Sequence, residues 1–371
     1  MINELESSDE ELGNSDEEEL GNIEVEYILL NVESVPPFES IDITSSSMNR
    51  PEFPSEEFGS FMELISKWNL SDACANDILK FSRKICRDDV ILPTSAKQGR
   101  QLLDQINIPH FSFNKVPIMI YKEDTYYLRH RQIFDAIKEL LSNPNIFKNC
   151  VFEYKPLFHE GQRIYHEQYN GEWWERAQNS ISSGAKVLSI ILYSDATTCD
   201  LLGKSTEHPI YLTLGNIPSW IRNKPYAKIL LGYLPQLNAR TTTQKRSKSF
   251  ILAKRALYQH ALDILMRPLL DYNNDGFDLL TDDGELWCYP FISVMLGDLP
   301  EDAALTLTYN SPNCKYPCHT CFMEVDKLND VTITNDQIVL RTPENMKDIV
   351  EQNLAHHYSL YSMKNIFWKY P

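Results

Sequence analysis

The stretch that decides the fold runs from Val187 to Pro235, VLSIILYSDATTCDLLGKSTEHPIYLTLGNIPSWIRNKPYAKILLGYLP. Val187 to Tyr193 is apolar and rich in β-branched residues, long enough for a central strand and too short to span a membrane. It ends in Ser194-Asp195-Ala196-Thr197, so a carboxylate stands where a buried strand gives way to a polar turn. His208 to Leu214 reads as a second strand, closed by Gly215-Asn216-Ile217-Pro218, and Ala227 to Leu234 as a third. Three strands in under fifty residues predict a meander with Asp195 at the end of its first strand.

A fourth apolar run, Trp287 to Leu296, repeats the pattern and ends in Gly297-Asp298. By itself an Asp after a strand is a weak signal, because such residues often cap turns or helices. Glu301 and Asp302 follow Asp298 closely, and Asp200 lies five residues after Asp195, so all three are rivals for any acidic role.

Working outward, the chain has 371 residues, enough for one large or two smaller domains. Its net charge of −17 is unevenly spread. Residues 1–49 carry fourteen acids and no Lys or Arg, which leaves 38 acidic against 35 basic residues in the remainder. A nearly neutral body neither requires nor excludes nucleic acid, since a local basic groove would suffice. Residues 1–53 therefore read as a disordered acidic tail, with the short repeat Ser8–Asn14 and Ser15–Asn22. Ser8 and Ser15 precede acids and could accept phosphate, but a solvated tail without a switch is the plainer reading.

Residues 54–150 read as a mostly helical region. Phe58, Phe61, Met62, Ile65 and Trp68 fall at helical spacing; Ser71 and Thr94 suit the caps of two further helices. Phe113 to Tyr121 is strand-like, with Pro117 predicting an edge or a bulge. From 151 to 186 aromatic residues interleave with Lys155, Arg163 and Arg176, which suits either base stacking or a layer that shields the sheet. The most basic neighbourhood holds Arg240, Lys245, Arg246, Lys248, Lys254 and Arg255. There Lys245, Arg246 and Lys248 are candidates for phosphate contacts or an import signal, against a solvated loop and helix start.

No apolar run opens the chain and none approaches a membrane-spanning length, so a reducing compartment is expected. Thiols or metal ligands are then expected over disulfides. Cys314, Cys318 and Cys321 lie in a Cys-x3-Cys-x2-Cys pattern that can bring three thiolates to one tetrahedral Zn2+. The fourth ligand is open among His319, His356, His357 and Cys288, and three reduced thiols in a loop is the bland alternative.

The quoted stretch, Gly297-Asp298-Leu299-Pro300-Glu301, the cysteine cluster and Asn365-Ile366-Phe367-Trp368 together resemble the Plavaka-type transposases. These are fungal DNA transposases related to the Kyakuja–Dileera–Zisupton group, and the resemblance covers roughly residues 150–371. It implies an α/β, RNase H-like mixed sheet with flanking helices and a small cysteine-rich insertion near 314–321, all within 151–371. In that fold the fourth strand neighbours the first, which would bring Asp298 beside Asp195 as ligands of Mg2+ or Mn2+. The resemblance further implies transposon-end DNA as partner, a nuclear location, and room for homo-oligomers. Relatives continue past a segment like Asn365–Trp368, where their third acid is expected, so turnover by this chain alone is expected to be impaired. The other reading is a non-catalytic transposon remnant that binds DNA or protein.

Overall fold

The computed structural model describes residues 27–33, 38, 40–44, 53–87, 89–105, 112–199, 206–309 and 314–370. The chain forms two compact units, one of residues 45–112 and the other of residues 1–44 with 113–371.

Among its described residues the smaller unit is a cluster of three helices, Glu56–Lys67, Asp72–Ile85 and Ala96–Gln105. Ser55 and Ser71 cap the first two by accepting hydrogen bonds from the Phe58 and Cys74 amides. At the third helix it is Ser95, one residue beyond the expected Thr94, that accepts from the Gln98 amide. The predicted stripe of Phe58, Phe61, Met62 and Ile65 is buried against Ala75, Leu79 and Ala96. Trp68, at the end of the stripe, is exposed because the helix stops before it.

The larger unit is a mixed α/β body built on one ten-stranded sheet. Its strands in chain order begin with β1 (Tyr27–Leu29), β2 (Ser40–Asp42), β3 (Asn114–Tyr121) and β4 (Asp124–His130). A small separate hairpin follows, β5 (Leu157–His159) with β6 (Gln162–Ile164). The remaining strands are β7 (Lys186–Ser194), β8 (Thr197–Thr198), β9 (Thr206–Leu214), β10 (Ile229–Leu234), β11 (Phe277–Thr281) and β12 (Gly284–Leu296). Across the sheet the order is β1-β3-β4-β10-β9-β7-β12-β11-β2, with β8 pairing only β9. The meander read from the sequence is the antiparallel run β7-β9-β10, and β12 lies parallel to β7.

Two expectations change here. The tail read as disordered through residue 53 includes two short strands, β1 against β3 and β2 against β11. Ile41 and Ile43 are buried, and Phe38 packs edge-on to Phe134 and Phe277. Charge counting over 49 residues hid this apolar stretch, whose backbone groups are satisfied along the two sheet edges. The split between units also falls near residue 112 rather than 150. The β3–β4 hairpin and the helix Ile133–Leu141, assigned by sequence to the helical region, belong to the sheet's core. Pro117 marks the expected irregularity, since the β3–β4 register shifts between Pro117 and Met119.

The two-residue side-chain period of β7 separates its surroundings. Leu188, Ile190 and Leu192 join the main core with the Ile133–Leu141 and Lys248–Met266 helices. Val187 turns to the other face, where Trp174 of the helix Glu172–Ser180 is fully buried. Trp173 and Trp174 thus shield the sheet, whereas Phe158 and Tyr165 stay exposed around Arg163.

The Gly215-Asn216 turn locks the meander to β7. The Asn216 carboxamide accepts from the Ser189 amide at 2.9 Å and donates to the carbonyls of Val151 and Val187 at 3.0 and 2.8 Å. Asn216 is completely buried. A Cβ at Gly215 would sit 1.9 Å from Gln168 Oε1 and 2.4 Å from Ser189 Oγ, so any side chain there would displace the Gln168 carboxamide and the Ser189 hydroxyl.

Candidate functional site

Parallel pairing of β7 with β12 sets Tyr193 opposite Leu296. Asp195 and Asp298 each follow two residues later, so both carboxylates leave the sheet at the same end, on adjacent strands. Asp200, the first rival, lies outside the described residues.

Each acid already has local work. Asp195 Oδ2 accepts from the Tyr193 hydroxyl at 2.8 Å, and that hydrogen bond is the main reason the Tyr193 phenol is pushed above its ordinary range. Asp298 is the N-cap of the helix Leu299–Thr306, its Oδ1 accepting from the Glu301 amide at 3.0 Å. Gly297 permits the tight entry, since a Cβ there would lie 2.7 Å from the Glu301 Cβ. The Gly-Asp-Leu-Pro-Glu stretch is therefore a strand-to-helix junction as well as an acid carrier.

The charge of Asp195 also acts on its neighbour. Partial burial raises the Asp298 carboxyl above its usual range, and the Asp195 charge raises it further, with His208 opposing. Asp302 is raised by burial and by Asp298, against the pull of His319, whose Nε2 lies 3.4 Å from Asp302 Oδ2. Glu301 is turned inward and buried, its Oε1 3.8 Å from His208 Nδ1.

His208 was missed in the sequence, where it passed as the first residue of a strand. Its signal was register. Ser194 opposes Ile210 and Thr197 opposes Glu207, so His208 comes level with Ala196, next to the acid. Burial and the Lys254 charge hold its imidazole below the ordinary value, while Asp195 and Asp298 pull it upward. Replacing Lys254 with methionine is therefore expected to raise the His208 pKa, and Asp195→Asn to lower it. An NMR titration of the His208 ring protons reads both signs; shifts in the same direction would refute the arrangement.

Two acids on neighbouring strands suit a hard divalent cation, because Mg2+ commonly takes one or two carboxylates and completes its shell with water and phosphate. Among the described residues no group of three or more His, Cys, Asp or Glu side chains is gathered to hold a metal by itself.

A family model described as Plavaka transposase matches residues 94–370. The chain belongs to the Plavaka transposase family. A comparison with curated proteins gives no match.

In this Plavaka chain Arg341 ties down the backbone of the cysteine segment, whose three thiols are not gathered into a metal-holding group. Its Nε donates to the carbonyls of Cys318 and Cys321 at 2.9 and 3.2 Å, and the guanidinium lies 4.3 Å from the Phe322 ring centre. Burial lowers the Arg341 pKa to about 10, opposed by the neighbouring Cys318, Cys321 and Cys314. Cys314 and Cys321 are buried and Cys318 is partly so. Burial pushes the Cys318 thiol up, but hydrogen bonds with Thr320 and Cys321 outweigh it and leave the thiol below its ordinary value. Of the open fourth ligands, His319 is turned to Asp302, His356 lies against Tyr309 and His357 against Tyr358. Cys288 sits in the sheet's core, where burial pushes its thiol up to about 12.

The basic stretch divides. Lys245 and Arg246 are exposed at the end of the short helix Thr242–Lys245, and Lys248 opens the long helix Lys248–Met266 half-buried. Arg240 pairs with Asp124 at 2.6 Å. Arg255 is buried over the Tyr361 ring.

Proposed function

We propose that the larger unit is an RNase H-like transposase core that cuts and joins DNA strands with Mg2+ or Mn2+ held between Asp195 and Asp298. The observation that carries this reading is the parallel β7–β12 register, which puts the two acids at one sheet end, close enough for the Asp195 charge to act on Asp298. The strand order β10-β9-β7-β12, an antiparallel meander followed by a parallel fourth strand, supports the RNase H-like assignment. Asp195 and Asp298 would hold the metal, which would supply activation of a water or 3′-hydroxyl and stabilisation of the leaving 3′-oxygen. The protein's part is positional: Tyr193 orients Asp195, and the helix start at Leu299 orients Asp298. The deciding experiment is nicking of plasmid DNA by the chain with and without Mg2+ or Mn2+. Cleavage that survives chelation would refute the metal site.

One observation favours a second reading, a remnant that binds without turnover. Capping the Leu299–Thr306 helix is sufficient reason for an Asp at 298.

DNA is the partner that family membership implies, and a nucleus is where such a protein would meet it. Lys245, Arg246 and Lys248 are proposed phosphate contacts. Replacing all three with glutamine is expected to weaken duplex binding and flatten the slope of log K against log salt by about 0.9 for each phosphate that is no longer neutralised. An unchanged slope returns them to solvent.

Zn2+ is proposed at Cys314, Cys318 and Cys321. The contact between the Cys318 and Cys321 side chains supports it, although the described geometry does not itself gather all three thiols, so zinc would have to draw Cys314 in. Cys318→Ser is expected to release bound zinc and lower the melting temperature of the purified chain. Atomic absorption that finds no zinc in the parent chain would refute the site.

A further inference from the structure

A polar groove opens at the same sheet end as the acids, two strands away. It is a cavity of about 380 Å³ whose lining includes Tyr127 and Arg129 of β4, Glu207 of β9, Tyr233 of β10, and Gln236 and Asn238 beyond β10. Register builds it. Arg129 is opposite both Lys115 on β3 and Tyr233 on β10, and Tyr233 is opposite Pro209 on β9. Directly opposed residues share a sheet face, and Tyr127 lies two residues from Arg129 on that face. Glu207 of the lining is opposite Thr197, two residues past Asp195, so the groove adjoins the site already described.

Its chemistry is selective. Tyr127 is 41% exposed, and the Lys115 ammonium sits 4.1 Å from its ring centre. Arg129 is exposed and Tyr233 half-buried. Two tyrosine rings offer stacking surface, Arg129 suits a phosphodiester, and Glu207, Gln236 and Asn238 supply acceptors and donors for a base edge. Past Asn238 the chain continues into the segment that carries the exposed Lys245 and Arg246.

We infer that this groove binds an unpaired stretch of a DNA strand, with a base against Tyr127 or Tyr233 and its phosphate on Arg129. A cavity of this size admits a splayed nucleotide, whereas a paired base inside a duplex keeps its faces covered by its stacked neighbours. The inference takes DNA as ligand from the transposase reading and is otherwise independent of catalysis.

The test is fluorescence anisotropy of the full chain without added Mg2+ or Mn2+, with labelled oligothymidylate and a duplex of equal length. Tyr127→Ala combined with Arg129→Ala is expected to weaken oligothymidylate binding about tenfold or more and to leave duplex binding nearly unchanged. Tyr127→Phe, which keeps the ring, is expected to bind as the parent does. Arg129→Gln alone is expected to give part of the loss and covers the case of a misfolded double variant. No binding of oligothymidylate by the parent, no loss in the variants, or an equal loss on the duplex would each overturn the groove. A chain that cuts DNA while its groove variants bind as the parent refutes the groove alone. Single-strand binding that disappears in the variants, in a chain that never cuts with metal, refutes the catalytic reading alone.

Discussion

Asp298→Asn is expected to remove metal-dependent strand cleavage while leaving the melting temperature of the chain nearly unchanged. Asparagine caps a helix about as well as aspartate, so the hydrogen bond from the Glu301 amide survives the exchange. What disappears is the charge that a divalent cation requires. Removing one electrostatic stabiliser of the reacting groups costs about 10²-fold or more in rate, and removing a metal ligand belongs at least on that scale. Asp298→Ala separates the two roles, because it removes the cap as well and should cost about 1 kcal/mol of stability. Asp195→Asn is expected to match Asp298→Asn in activity, since each carboxylate supplies half of the proposed pair. The measurements are Mg2+-dependent plasmid nicking and thermal melting on the same preparations. Full nicking by Asp298→Asn would make Asp298 a cap and nothing more, and the remnant reading would then stand.

Asn216→Ala is expected to be among the most destabilising single changes in the larger unit. The side chain makes three buried hydrogen bonds, to the Ser189 amide and to the carbonyls of Val151 and Val187. Alanine leaves those groups without that partner, in a place where Asn216 itself is completely buried. An unsatisfied buried group costs about 1–3 kcal/mol, so a total of about 3–5 kcal/mol is expected. Asn216→Asp should be no milder. It keeps an acceptor for Ser189 but turns a carboxylate oxygen toward two carbonyls, in a site that disfavours charge. Urea denaturation gives the numbers. A loss under about 1 kcal/mol for Asn216→Ala would show that water or a local shift replaces the carboxamide.

This turn also shows why a motif can be legible while its role is not. Gly215-Asn216 stood out in the sequence as the close of a strand, within a segment that carried the family resemblance. Only the folded chain shows that the glycine makes room for Gln168 and Ser189 and that the asparagine ties three separate segments together. No local pattern predicts such contacts, because Val151 is 65 residues away along the chain.

Local sequence was enough to set the strands of the meander, the stripe of the first helix, and the two acids at strand ends. Each of these is written in nearest-neighbour periodicity, and periodicity follows directly from backbone geometry. The family resemblance supplied the prospect that Asp195 and Asp298 meet. What local pattern does not encode came from tertiary pairing. The parallel register brings those acids level, and antiparallel register adds His208 beside them. Glu301 turns inward while Asp302 faces His319 from the cysteine loop. The apolar part of the acidic tail lies along both sheet edges. These outcomes depend on which distant backbone groups find one another, and hydrogen-bond satisfaction across the whole sheet settles that choice.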